Sequence, residues 1–156
     1  MESAQKLTQD VVLMPRNIKV TLEWELYTDP DDVPPRAGIY MVIAGRYGEE
    51  GWRISTYKLL DIGQSGDSGV RLDTHDRRPC WEDETPSGYT ILYKFAPMAS
   101  RDYDRTDRRI VECCLRSHER PPCGTECNQG YNRDDTVVIR NTGKYAPLDS
   151  KYSCGP

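Results

Sequence analysis

Between Asn17 and Thr28 apolar and polar residues alternate strictly, with Ile18, Val20, Leu22, Trp24 and Leu26 on one side. A period of two predicts a half-buried strand. The run "DPDDVPP" then breaks it with prolines and aspartates. A short apolar run, Ala37 to Gly45, is followed by the turn-rich "GRYGEEG" and by "WRISTYKLLDIG", ending at Gly63. This reads as an antiparallel hairpin that brings Asp61 within reach of Tyr40. The stretch from Gly69 to about Arg78 reads as a short helix stopped by Pro79, with Arg71 and His75 on one face four residues apart. "GYTILYKFAPM" is a further strand. From about Tyr103 to Glu119, Val111, Cys114, Leu115 and His118 form one stripe, with Ile110 and Cys113 beside it, as a helix requires. "RPPC" ends that helix, and "DDTVVIRNTG" predicts a last strand and turn.

These elements predict one α/β domain, a small, mainly antiparallel sheet flanked by helices, with extra strands at both ends. Its expected limits are 17–148, between an aperiodic, loosely held tail at 1–16 and a C-terminal tail at 149–156. At 156 residues the chain suits a single domain. Only 37% of the residues are hydrophobic and one is Phe, so the core is lean; ten Tyr and three Trp add apolar area with polar tips.

The net charge of −4 argues against a basic coat that binds nucleic acid everywhere. Local clusters still matter, and arginines gather at 71, 77 and 78 and again from 101 to 120. The first residues show no basic flank, apolar run and cleavage site, and no stretch approaches the length of a spanning helix. The expectation is a soluble, cytoplasmic chain with no membrane partner. In that setting the six cysteines are expected to be reduced and buried. A zinc site is the weaker alternative, because Cys123 and Cys127 lack a second close pair with ligand spacing.

The glycines of "KLLDIGQSGDSGVRLDTHDRR" suggest phosphate chemistry, yet the familiar loops do not fit. No Gly-Lys-Ser/Thr follows for a P-loop, and G-x-x-G-x-x-G is not the dinucleotide spacing. No G-x-S-x-G elbow surrounds Ser65 or Ser68.

An ordered set of short motifs fits better: "GIY" at Gly38–Tyr40, "DIG" at Asp61–Gly63 running into "IGQS", then "VRLDTH", "IVECCL" and "PPC". In this order the chain resembles the GIY-YIG nuclease family over about Ala37 to Thr125. The resemblance implies a Mg²⁺- or Mn²⁺-dependent endonuclease that hydrolyses phosphodiesters, with DNA as partner. Tyr40 matches the tyrosine that orients or activates the attacking water. Arg71 matches the arginine on the scissile phosphate, where a planar, permanently charged fork suits phosphate oxygens. His75 matches a position for proton shuttling or phosphate bonding. Glu112 matches the metal-binding glutamate; one carboxylate suffices for Mg²⁺ when water and phosphate complete the shell.

Two positions depart from the pattern. Asp61 replaces the tyrosine of the second motif, where it repels phosphate, accepts a bond from Tyr40, serves as a base or adds a metal ligand. Gly124 follows "PPC" where the family carries asparagine, with Asn128 four residues on. The intact Tyr40, Arg71, His75 and Glu112 favour activity; the alternative is a catalytically inactive domain that binds nucleic acid or protein through the same cleft.

Overall fold

The structure, a computed structural model, describes residues 14–51, 53–125, 127 and 134–155. The alternating segment forms strand β1 (Asn17–Tyr27), whose Ile18, Val20, Leu22 and Trp24 are buried while the residues between them are exposed. β2 (Gly38–Tyr47) and β3 (Ile54–Ser65) make the expected antiparallel hairpin, and β4 (Thr90–Pro97) pairs antiparallel with the other side of β2. β5 (Thr136–Gly143) and β6 (Lys151–Cys154) complete a six-stranded sheet of order β3-β2-β4-β1-β5-β6. The β1–β5 pairing is parallel and the other ladders are antiparallel, so the fold is α/β with a mixed sheet. β1, β5 and β6 extend the sheet beyond β3-β2-β4. The segment expected as a C-terminal tail therefore supplies a strand, β6, on β5.

Two α-helices occur among the described residues, α1 (Arg78–Glu84) and α2 (Arg105–Glu119). α2 begins in a reciprocal capping box: the Asp104 carboxylate accepts the Asp107 N–H, and the Asp107 carboxylate accepts the Asp104 N–H. The Arg16 guanidinium donates to both carboxylates at 2.9 Å, so the chain just ahead of β1 is tied to this helix end. Residues 1–13 of the expected N-terminal tail lie outside the described residues. The helix stops at Arg120, which takes a left-handed conformation (φ 47°) before two prolines.

α2 lays Ile110, Val111, Cys114 and Leu115 on a core that includes Leu22, Trp24, Ile39, Met41, Ile43 and Ile62. His118, expected in that stripe, is exposed instead, beside Tyr152. A second cluster on the other face of the sheet unites Tyr40, Val42, Leu60, Tyr93 and Phe95 with Trp81 of α1 and Leu72. Each large apolar side chain so buried contributes about 1.5–3 kcal/mol.

Two expectations are corrected. Residues 71–77 form turns, and the short helix begins where it was expected to end. Pro79 is the cause: at the first turn of a helix a proline's fixed φ and missing N–H cost nothing, so it marks a start. Arg71 and His75 thus share no helical face. The cysteines, expected reduced, are paired as Cys80–Cys123, Cys113–Cys127 and Cys114–Cys154. Such bonds persist in oxidising surroundings, which sets them against the cytoplasmic expectation. No described helix is long and apolar enough to cross a membrane.

Candidate active site

A cavity of about 350 Å³ opens beside the C-terminal half of β3, between α2 and the loop after β3. Tyr40, His75, Arg77, Arg109, Glu112 and Arg116 line it. Three segments deliver them: β2, the 66–77 loop that ends in the N-cap of α1, and one edge of α2.

Tyr40 faces Gly63 across the β2–β3 ladder, and a Cβ on residue 63 would collide with the Tyr40 ring and hydroxyl. The glycine of "DIG" is therefore space for the phenol, not a phosphate cradle. The register of the same ladder slips between Val42 and Ile43, which pair with Asp61 and Leu59 and leave Leu60 as an extra residue. A bulge of this kind re-aims side chains. Here it sends Leu60 into the cluster around Trp81, and the Asp61 carboxylate meets the Trp81 indole there as well.

Asp61 is fully buried and does not line the cavity. Its Oδ2 accepts from Arg77 Nε at 2.6 Å and from Trp81 Nε1 at 2.8 Å. Its Oδ1 lacks a hydrogen bond among the described residues and faces Arg116 Nη2 at 3.7 Å. Asp61 and Tyr40 meet through Arg77, whose Nη2 donates to the Tyr40 oxygen at 3.0 Å. The carboxylate stands behind two guanidiniums, hydrogen-bonded to Arg77 and in ionic contact with Arg116. Arg116 is held further by donation from its Nε to the Ile62 carbonyl at 2.7 Å and by Glu112 Oε1 at 3.7 Å from Nη1.

The hydrogen bonds assign the protons. The Arg77 backbone N–H donates to His75 Nδ1 at 3.0 Å, so that nitrogen carries no hydrogen in the neutral ring. The ring proton sits on Nε2, 3.1 Å from the Tyr40 oxygen, and points at it. Burial, helped by the Arg77 charge, holds His75 below the usual histidine range, which keeps the ring neutral near pH 7. The Tyr40 oxygen thus accepts from both His75 and Arg77 and has its own proton left to donate. Burial pushes this phenol well above the usual tyrosine range, against the pull of Arg77. At neutral pH it is a hydrogen-bond donor and not a base.

Glu112 is half-buried on the cavity wall and is the only carboxylate among the described lining residues. Burial raises its carboxyl above the ordinary glutamate range, although Arg116, Arg77 and the Gln64 N–H all favour the charged form. Glu112 opens on the cavity with oxygen lone pairs of the kind a hard cation takes, while the guanidiniums around it oppose a further cation unless phosphate oxygens join it.

Arg71 is exposed and lies outside the lining; Arg77 and Arg116 supply the cationic forks instead. Both were missed in the sequence, though each carries a signal. Arg77 stands two residues before a proline that opens a helix, and Arg116 follows Glu112 by one helical turn. Gly124 abuts Asp61: a Cβ there would strike Oδ1 and come within 3.1 Å of Arg116 Nη2. Asn128 lies outside the described residues.

A scan against protein-family models found no match, and searches of curated proteins and of solved structures found none either.

Proposed function

We propose that the chain is a divalent-metal-dependent endonuclease of GIY-YIG type, hydrolysing phosphodiesters in DNA. The observation that carries this reading is the convergence of Tyr40, His75, Arg77, Arg116 and Glu112 on one cavity lined by a single described carboxylate and several cations. The motif order that resembles the family agrees with it.

Each side chain has a task in that reading. Arg77 and Arg116, held from behind by Asp61, present planar cations to phosphate oxygens and offset the charge that grows in the transition state. Because Asp61 holds Arg77 and the Ile62 carbonyl holds Arg116 beforehand, little reorganisation is needed when charge develops. Tyr40 turns its one free proton towards an oxygen in the cavity and orients the attacking water or the phosphate. His75 Nε2–H and Arg77 hold that phenol in place. Glu112 would hold Mg²⁺ or Mn²⁺. Its carboxylate alone suits such an ion only with water and phosphate oxygens beside it. Bound there, the ion would polarise the phosphoryl group and stabilise the departing oxygen.

Asp61 in this account is a positioning residue. Its buried carboxylate is shielded from a substrate phosphate by the two arginines, which removes the repulsion its position in the motif suggested. Cleavage of supercoiled plasmid that requires Mg²⁺ and disappears in Glu112→Gln tests the reading. DNA retention without cleavage, equal in both proteins, would instead favour an inert binding domain.

A further inference from the structure

On the face of β4 opposite Tyr93 lies Lys94, a residue only 5% exposed. Tyr93 and Phe95 support the candidate active site, so Lys94 points to the other side of the sheet. Its Nζ donates to the Ala146 carbonyl at 2.6 Å. That is one acceptor for an ammonium with three donors. Lys144 is a second cation nearby, and no carboxylate is among the described residues that line the cavity beside them. Buried charges are ordinarily paired, so a buried ammonium whose charged neighbour is a second lysine calls for a counter-ion.

The space for one is present. A cavity of about 530 Å³ adjoins Lys94, lined also by Arg53, Lys144, Thr56, Tyr145 and Gly143. Its described lining holds three cationic side chains, two hydroxyls and no acid. Lys94 on β4 and Lys144 just after β5, with no acid among the described lining residues, suit an anion, and the oxygens of a phosphate can meet more than one such cation. The volume falls in the range of small-ligand pockets and exceeds what a bare anion needs. Burial, then Lys144, lowers the Lys94 ammonium to about 8, so it is still largely charged at neutral pH and ready for an anion.

We propose that this cavity, behind the sheet and separate from the candidate active site, binds a phosphate group through Lys94 and Lys144. The proposal does not depend on the nuclease reading. The phosphate has two possible sources, a free phosphate or nucleotide and a backbone phosphate of nucleic acid.

The test follows amide NMR signals of Gly143 to Ala146 while inorganic phosphate is added to the full chain. These residues line this cavity, and none of them lines the candidate active site. The expected result is a saturable shift in the wild type, lost in Lys94→Met and weakened several-fold in Lys144→Gln. Lys94→Met replaces a buried cation by an apolar chain of similar length, and its amide spectrum checks the fold. If it fails to fold, the exposed Lys144→Gln still decides. Anisotropy with a DNA duplex identifies the source. A backbone phosphate predicts weaker DNA binding in both variants and a salt slope lowered by about one. A free phosphate predicts unchanged DNA binding beside the lost NMR shift. Absence of phosphate-induced shifts at 143–146, or equal shifts in the wild type and both variants, overturns the proposal.

Discussion

Gly124 and Asp61 occupy adjoining space so closely that any side chain at 124 would meet the Asp61 carboxylate oxygen facing Arg116. The two departures from the family pattern are thus one structural unit. A carboxylate at 61 that draws in Arg77 and Arg116 needs the room a glycine leaves. Gly124→Ala is expected to destabilise the protein by about 1–3 kcal/mol, the usual cost of overpacking. In an Asp61→Ala background the same change should cost under about 0.5 kcal/mol, since the oxygen it strikes is gone. Urea unfolding of the four proteins in this cycle measures both values, and additive costs would separate the two residues.

Arg77 joins Asp61, Tyr40 and the cavity with one planar fork. A lysine has a single ammonium and cannot make both bonds in the same geometry. Arg77→Lys and Arg77→Ala are each expected to lower cleavage by about 10²-fold or more, the scale of losing one preorganised donor. Arg71→Ala should change it only a few-fold, because Arg71 is exposed outside the lining. Single-turnover rates with saturating DNA distinguish these outcomes; a larger loss at 71 than at 77 would assign the phosphate contact to Arg71.

The pH dependence of stability separates Glu112 from His75. The folded protein holds Glu112 above the ordinary range, so around that window it binds more protons than the unfolded chain. Its contribution to stability therefore falls as pH rises from the ordinary glutamate value through the raised one. His75 is held below its ordinary range. Its contribution is complete above the unfolded value near 6.5 and is lost as pH falls through the lower folded value. In EDTA, Glu112→Gln should flatten the loss on the rising side and leave the protein more stable at pH 7. His75→Gln should flatten the loss on the falling side. Denaturant midpoints between pH 4 and 8 read both, and unchanged profiles would contradict the burial argument.

The Cys80–Cys123 bond ties α1 to the loop that carries Gly124 and spans 43 residues. Loop-closure entropy for that span corresponds to about 4 kcal/mol, an upper figure for such bonds. Replacing both cysteines by alanine is expected to cost about 2–4 kcal/mol and to lower cleavage further than stability requires, because the wall behind Asp61 loosens. Comparing activity at temperatures of equal folded fraction tests the second part.

Much of this was legible in the chain. The strict alternation of β1 fixed its buried face, because a period-two pattern with one face buried tolerates no slip. The β2–β3 hairpin was readable from apolar runs of ordinary length, and α2 from the helical spacing of Val111, Cys114 and Leu115. The short helix was misplaced because Pro79 ends or opens a helix with equal local logic, and only the packing of Trp81 against the sheet decides. Arg77 and Arg116 were hidden among many arginines, since their role comes from a buried carboxylate that meets them only in the fold. The Leu60 bulge that turns Asp61 inward leaves no mark in the hydrophobic pattern. Neither do the cysteine pairings, which join residues up to 43 apart.

The most direct measurement is Mg²⁺-dependent nicking of supercoiled plasmid by the wild type and by Glu112→Gln, with folding of both checked by circular dichroism. The account predicts cleavage by the wild type that EDTA abolishes, and a loss of at least about 10²-fold in the variant. Equal cleavage by the two proteins, or none by the folded wild type with either Mg²⁺ or Mn²⁺, would contradict it.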